Sequence, residues 1–310
     1  MDFIGGCAAY AAAGLSIWDG PTGIVTRIGE DYPREWLNYF PIHDIDTRGV
    51  KILTESIDLR NFYGYEKVGS FQTHNPVRFF ANIEYPFPSA LLNYKYEKPA
   101  RDDLKTREAT SPISTDFPID YMDAIAAHIC PMDYISQSLL QSVLHSGQIR
   151  TITMEANPAY LLPENWNEIP AVVNGLTCFF VYETDIRQLF RGRSDDLTEM
   201  AAAIGGMGSE LVVIRSADGS SQLYQHSTMQ TWTLPAYPVK RINTHSSRHA
   251  FAGGFLAGYI LTYDPLNALA YGSVSESVSS EGLHPLAIFE AMPGIEKARL
   301  DIQRGKLRLI

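Results

Sequence analysis

Short apolar runs alternate along much of the chain with stretches whose apolar positions recur three or four residues apart. Residues 23–28, 125–129, 151–154, 178–182 and 210–215 are compact, largely apolar runs, several rich in β-branched or aromatic side chains, and predict buried strands. Helical spacing follows over 136–146, 163–173, 185–190 and 197–205. Small residues from 7 to 14, after Gly5-Gly6, predict a tightly packed helix, and Pro33 suits the first turn of a helix over 34–40. Residues 223–226 and 230–234 read as a hairpin. Ala250, Gly253, Gly254, Ala257 and Gly258 share one helical face, which admits close backbone approach although each glycine costs about 1 kcal/mol of helix propensity. Asp264-Pro265 opens a further helix, with Asp as the cap and Pro in the first turn. Repeated strand and helix with short connections predict a mainly parallel sheet covered on both faces. Residues 51–115 break the rhythm: 77–83 reads as short strands, and the Pro- and Tyr-rich run 85–99 as a long loop.

Composition narrows the reading. With 310 residues, 45% of them apolar, the chain can bury a sizeable core. Thirty-five acidic against 25 basic residues give a formal charge of −10, and no basic cluster offsets it, so nucleic acid is not an expected partner. Cys7, Cys130 and Cys178 lack C-x-x-C spacing, which argues against a zinc knuckle or a disulfide framework and fits a reducing cytoplasm. The apolar stretch 4–18 has no Lys or Arg before it and is too short to span a bilayer, so it reads as a buried helix and not as an export signal or membrane anchor.

Several segments, in order, carry a family likeness. Gly5-Gly6 with Tyr10 and Ala12, then Gly29-Glu30-Asp31 with Asp44-Ile45-Asp46-Thr47-Arg48-Gly49, and finally Ala250-Phe251-Ala252-Gly253-Gly254-Phe255 resemble the signatures of the ribokinase-like (PfkB) carbohydrate kinases. The resemblance implies a single domain over 1–310, a three-layer α/β/α sandwich with a small β lid within 51–115. It also implies ATP and Mg2+ as cofactors, a sugar or nucleoside as substrate, and a homodimer formed through lid strands. The family begins with a strand some thirty residues before its Gly-Gly pair, whereas Met1 stands four residues before Gly5. The expectation is therefore a sheet lacking its first strand, marginally stable or paired with another chain.

The likeness fails where the family's chemistry resides. The family's G-A-G-D loop, whose amides approach the transferring phosphate and whose Asp is the general base, becomes Ser246-Ser247-Arg248-His249. Its N-x-x-E magnesium motif falls on Tyr182-Glu183-Thr184-Asp185, leaving Asp185 as a weak metal candidate. The nucleotide-side K-x-G-x-x-G becomes Arg215 to Ser220, with Ala217 and Ser220 in place of the glycines. On the substrate side Gly5 and Gly6 remain, and Tyr10 stands where many members carry a sugar-contacting Asn. His249 at the base position is expected to be inactive, since imidazole is bulkier than carboxylate and cannot replace an anion hole worth on the order of 100- to 1000-fold in rate. Ser246 and Ser247 are expected to cap the helix through their hydroxyls, Arg248 to be a solvated surface residue, and Tyr10 to pack on the sheet. His74, His128, His226, His245 and His284 lack metal-ligand spacing. Together these departures predict a pseudokinase that acts by binding; the alternative is an active sugar or nucleoside kinase with a displaced base.

Overall fold

A computed structural model of the chain describes residues 3–67, 70–96 and 103–310. The first helix, α1 (Cys7–Ser16), starts after Gly6, whose φ of 97° favours glycine, and runs into β1 (Thr22–Ile28). Residues 34–39, expected as an α-helix, form a 3-10 segment, and β2 (Ile45–Ile52) then pairs with β1 in parallel. An antiparallel ribbon, β3 (Gly64–Lys67) with β4 (Ser70–Gln72), stands apart from the main sheet.

The next segment corrects the strand reading of 77–83: it is helix α2 (Pro76–Asn82). Asn75 and Pro76 explain why. The Asn75 side chain accepts the Arg78 amide hydrogen bond at 3.1 Å, Pro76 sits in the first turn, and the ring of Phe79 packs edge-on against Phe62. The end of the expected 85–99 loop lies outside the described residues.

From there the sandwich follows the predicted rhythm. It comprises β5 (Ala126–Ile129), α3 (Tyr134–His145), β6 (Thr151–Glu155), α4 (Ile169–Val173), β7 (Cys178–Tyr182), α5 (Glu183–Leu189), α6 (Leu197–Gly206) and β8 (Leu211–Arg215). The hairpin β9 (Ser221–Gln225) and β10 (Gln230–Leu234) follows, then α7 (Arg248–Thr262), α8 (Pro265–Ser279), α9 (Ile295–Arg304) and β11 (Arg308–Leu309). The large sheet has the order β11-β10-β9-β8-β7-β6-β5, parallel from β5 to β8 and antiparallel beyond.

Strand alternation divides the core into two. Phe179, Val181, Val212 and Ile214 face α3 to α6, while Cys178, Phe180, Leu211 and Val213 face α7, α8 and α9. The α1–α7 contact is close because Gly14 and Gly253 lack side chains: a Cβ on Gly253 would overlap the Ala11 carbonyl oxygen, and one on Gly14 the Ala250 carbonyl.

Among the described residues no strand lies between β1 and β5. Each is the end strand of its own sheet, and both line one cavity of about 1860 Å³. That exceeds the roughly 300–1,000 Å³ of an ordinary small-molecule site. No helix among the described residues is long and apolar enough to cross a membrane.

Candidate functional site

The carboxyl ends of β5, β6 and β7 and the head of α7 meet at the inner wall of this cavity. In a parallel sheet the strand ends present their last side chains toward the crevice, which is where ligands bind in such folds. Here β6 ends on Glu155 and β7 on Tyr182, and both line the cavity together with His245, Ser246, Arg248 and His249.

His249 Nδ1 lies 2.8 Å from Glu155 Oε2, and the two side chains are 11% and 4% exposed. Burial pushes the Glu155 carboxyl up, but the charge and hydrogen bond of His249, helped by Arg248, outweigh it and hold Glu155 below its usual range. A carboxylate on Nδ1 fixes the ring orientation and favours a proton on that nitrogen.

Arg248 corrects the expectation of a solvated surface residue. It is half-buried, its guanidinium carbon lies 4.4 Å from the centre of the Tyr182 ring, and its Nε is buried without a hydrogen-bond partner. Among the described residues no carboxylate pairs with it. The physical reason is the aromatic platform, which holds the planar cation against the wall without neutralising it.

The expected serine caps are also corrected. Ser247 Oγ donates to the Asn243 carbonyl at 2.5 Å, and no side chain caps α7 at Ser247. Asn243 braces the turn ahead of the helix: its Oδ1 accepts from the Ser246 amide at 3.0 Å and from Tyr65 Oη at 3.3 Å, while its Nδ2 donates to Tyr10 Oη at 2.6 Å. Further along, the His249 and Ala250 amides donate to the Ser246 and Ser247 carbonyls. Several amides that would form an anion cradle are thus already engaged. Tyr10 is 2% exposed and also donates to the Leu283 carbonyl at 3.4 Å; burial raises its phenol well above the usual range. It braces the loop before α7, in place of the expected packing on the sheet.

The remaining predicted residues divide sharply. Gly5 and Gly6 line the cavity, but Asp185, Arg215, Ala217, Ser220 and Ser247 do not. Arg215 is 3% exposed, paired with Glu276 of α8, 2.5 Å from Ser221 Oγ, and centred 3.7 Å over the Phe251 ring. Ala217 and Ser220 lie in a turn closed on itself by Ser216 N to Ser220 O and Gly219 N to Ser216 O, both 3.0 Å. Burial raises the Asp185 carboxyl, which disfavours the anion a magnesium ion would need. Among the described residues no group of three His, Cys, Asp or Glu side chains is placed to hold a metal ion. At the family's magnesium position the chain offers Glu183 and Asp185, and neither lines the cavity.

Spacing alone missed four participants: Glu155, Asn243, Cys7 and Cys130. Glu155 carried one usable signal, an acid closing an otherwise apolar strand. Cys7 and Cys130, which sequence spacing left unrelated, are brought into side-chain contact at the cavity wall, with Cys7 Sγ 4.0 Å from the Pro131 carbonyl. His245 lies between Tyr63 and Phe71, tilted to both rings with centroids 4.9 and 4.8 Å away, and burial with the nearby charges of Arg248 and His249 pushes it down to about 3, so it is neutral at ordinary pH.

This architecture has solved counterparts. A fructokinase from Xylella fastidiosa with bound ATP superposes with a TM-score of 0.68 over 98% of this chain and 92% of its own, at 14% identity. An E. coli protein assigned as a ribokinase II, in complex with ATP and Mg2+, gives 0.68 over 97% and 89%, at 12% identity. The chain has the ribokinase-like fold. Among curated proteins, this ribokinase-like chain is 26% identical over 258 residues to the cytidine kinase of Thermococcus kodakarensis, covering 82% of this chain and 80% of that one. No family model matches it. That curated relative is a kinase, and the three-layer sandwich expected from this chain's motifs stands.

Proposed function

We propose that this chain is a pseudokinase of ribokinase-like fold, which binds a phosphorylated sugar or nucleoside at the head of α7 without efficient phosphoryl transfer, with the cytoplasm as its setting. The observation that carries this reading is Arg248, held on Tyr182 beside the cavity with no hydrogen-bonded acid and only the through-space attraction of Glu155 and Asp185. A half-buried guanidinium that no carboxylate chelates favours an anion, and its fork matches phosphate oxygens. The closed turn at Ser216 to Ser220 and the internal pairing of Arg215 support the loss of the nucleotide side.

Calorimetric titration with ribose 5-phosphate, fructose 6-phosphate and cytidine 5′-monophosphate, each against its unphosphorylated parent, tests it. Binding confined to phosphorylated forms is expected; equal affinity for the parent compounds would remove the reading.

One contact favours a second reading, an active kinase acting on a sugar or nucleoside hydroxyl. The Glu155–His249 pair has the base-and-orienter form of a proton acceptor. Assay of ADP release with saturating ATP, Mg2+ and a panel of sugars and nucleosides separates the two. Turnover at ordinary kinase rates that His249→Ala abolishes would establish the second reading and overturn the first.

A further inference from the structure

Cys7 and Cys130 belong to neither reading of the site, yet the fold brings them together from distant parts of the sequence. Cys7 is the first residue of a ten-residue helix, α1, where the amide dipoles favour an anion. Cys130 immediately follows β5, and both residues line the cavity. Cys7 Sγ lies 4.0 Å from the carbonyl oxygen of Pro131, the residue next to Cys130, and both cysteines are free thiols.

The surroundings make the two thiols unequal. The hydrogen bond from Cys130 and the charge of His249 draw Cys7 below the usual thiol range against the opposing effects of burial and Glu155. Cys130, 9% exposed and on the donating side of that bond, is raised well above it. A partly exposed thiol with anionic character beside a buried protonated thiol is the arrangement of an attacking and a resolving cysteine. Cys178 provides an internal contrast, since it is wholly buried within β7 and burial raises it.

The geometry points to a peroxide-reactive thiol pair, with Cys7 as the attacking sulfur and Cys130 as the resolving one, closing a disulfide between the head of α1 and the end of β5. In the first step the Cys7 thiolate attacks an oxygen of a hydroperoxide and the O–O bond breaks. Alcohol or water departs with the thiol's proton, and sulfur, two electrons poorer, becomes a sulfenic acid. In the second step Cys130 attacks that sulfur, the S–O bond breaks, and the hydroxide leaves with the Cys130 proton as water. Reduction by a dithiol reverses the product. The disulfide would tie two walls of the cavity beside Arg248 and His249.

The whole chain is treated with graded hydrogen peroxide, quenched, alkylated after denaturation and mapped by peptide mass spectrometry. Cys7 is expected to react about tenfold or more faster than Cys178, and a Cys7–Cys130 linked peptide to accumulate that dithiothreitol removes. Cys130→Ser should instead trap Cys7 as a sulfenic acid captured by dimedone. Equal rates at Cys7 and Cys178, or oxidation of Cys7 in the unaltered chain to sulfinic acid with no linked peptide, would overturn the proposal. Both of those readouts come from the unaltered protein and need no ligand, so they remain decisive if a variant fails to fold or the phosphate-binding reading fails.

Discussion

Arg215 and Arg248 both stand at positions where the family handles phosphate, and both rest on an aromatic ring, Phe251 at 3.7 Å and Tyr182 at 4.4 Å. Their partners differ. Arg215 is sealed against Glu276 and Ser221, whereas Arg248 forms no ion pair, feels Glu155 and Asp185 only through space, and lines the cavity. The difference teaches that a cation near an expected phosphate site is informative only when its charge balance is known. On the β8 side the positive charge is part of the core, while at the head of α7 no carboxylate is bonded to it.

The largest test of this contrast is on the sealed arginine. Arg215→Ala leaves Glu276 buried without a counter-ion, and about 3–5 kcal/mol of unfolding free energy should be lost in urea titration. Replacing both partners together, with Met at 215 and Leu at 276, should recover most of that loss. A single-substitution loss below about 1 kcal/mol would mean that Arg215 is not sealed and would erase the distinction between the two arginines.

The next effect concerns the seating of α7, which carries Arg248. Gly253→Ala places a Cβ against the Ala11 carbonyl of α1 and should cost about 1–3 kcal/mol through overpacking. Gly206→Ala, where a Cβ meets open space, is the control and should leave the denaturation midpoint near that of the unaltered chain. If the two variants match, the close α1–α7 crossing does not fix the helix head.

Those glycines also show which part of the molecule its sequence makes legible. The small-residue face of α7 and the apolar runs of β6 to β8 are local patterns, and each led to the observed element. The β9–β10 hairpin and the Asp264 cap were readable for the same reason, since Asp264 accepts from the Leu266 amide at 2.8 Å. The 77–83 segment misled because Phe79 and Phe80 raise strand character, while the decisive signal, Asn75-Pro76, lies just outside it. The site was legible only in part. His249 and Arg248 could be named from a family position, but whether either is paired depends on Glu155 and Tyr182, which arrive from other strands. Likewise, Ser247 turned its hydroxyl to the Asn243 carbonyl and left α7 without a side-chain cap, through a turn geometry that residue type alone does not specify.

A smaller and pH-dependent effect should separate the His249 environment from that of the arginines. Glu155 has its native carboxyl held below the unfolded value, so its contribution is present above the unfolded carboxylate range and disappears as pH falls through the native one. Glu155→Gln should cost about 1–3 kcal/mol at neutral pH, with the gap to the unaltered chain closing in acid. Denaturation midpoints across the acidic range provide the check. A gap that stays constant with pH would mean that Glu155 acts on His249 through shape and not through charge.

The smallest stability effect belongs to Arg248, although its consequence for ligand binding is the larger one. Arg248→Ala removes a cation–π contact worth about 0.5–1 kcal/mol, but it also removes a desolvated charge that lacks a counter-ion, so the two changes oppose each other. Thermal unfolding should therefore shift little. Affinity for a phosphorylated ligand should fall by about tenfold or more, since a charge-assisted hydrogen bond contributes about 1.5–3 kcal/mol. Arg248→Lys keeps the charge but loses the planar fork, and should retain only part of the binding. A large stability loss in Arg248→Ala with unchanged phosphate affinity would give Arg248 the same structural role as Arg215, and the contrast between the two sides of the site would disappear.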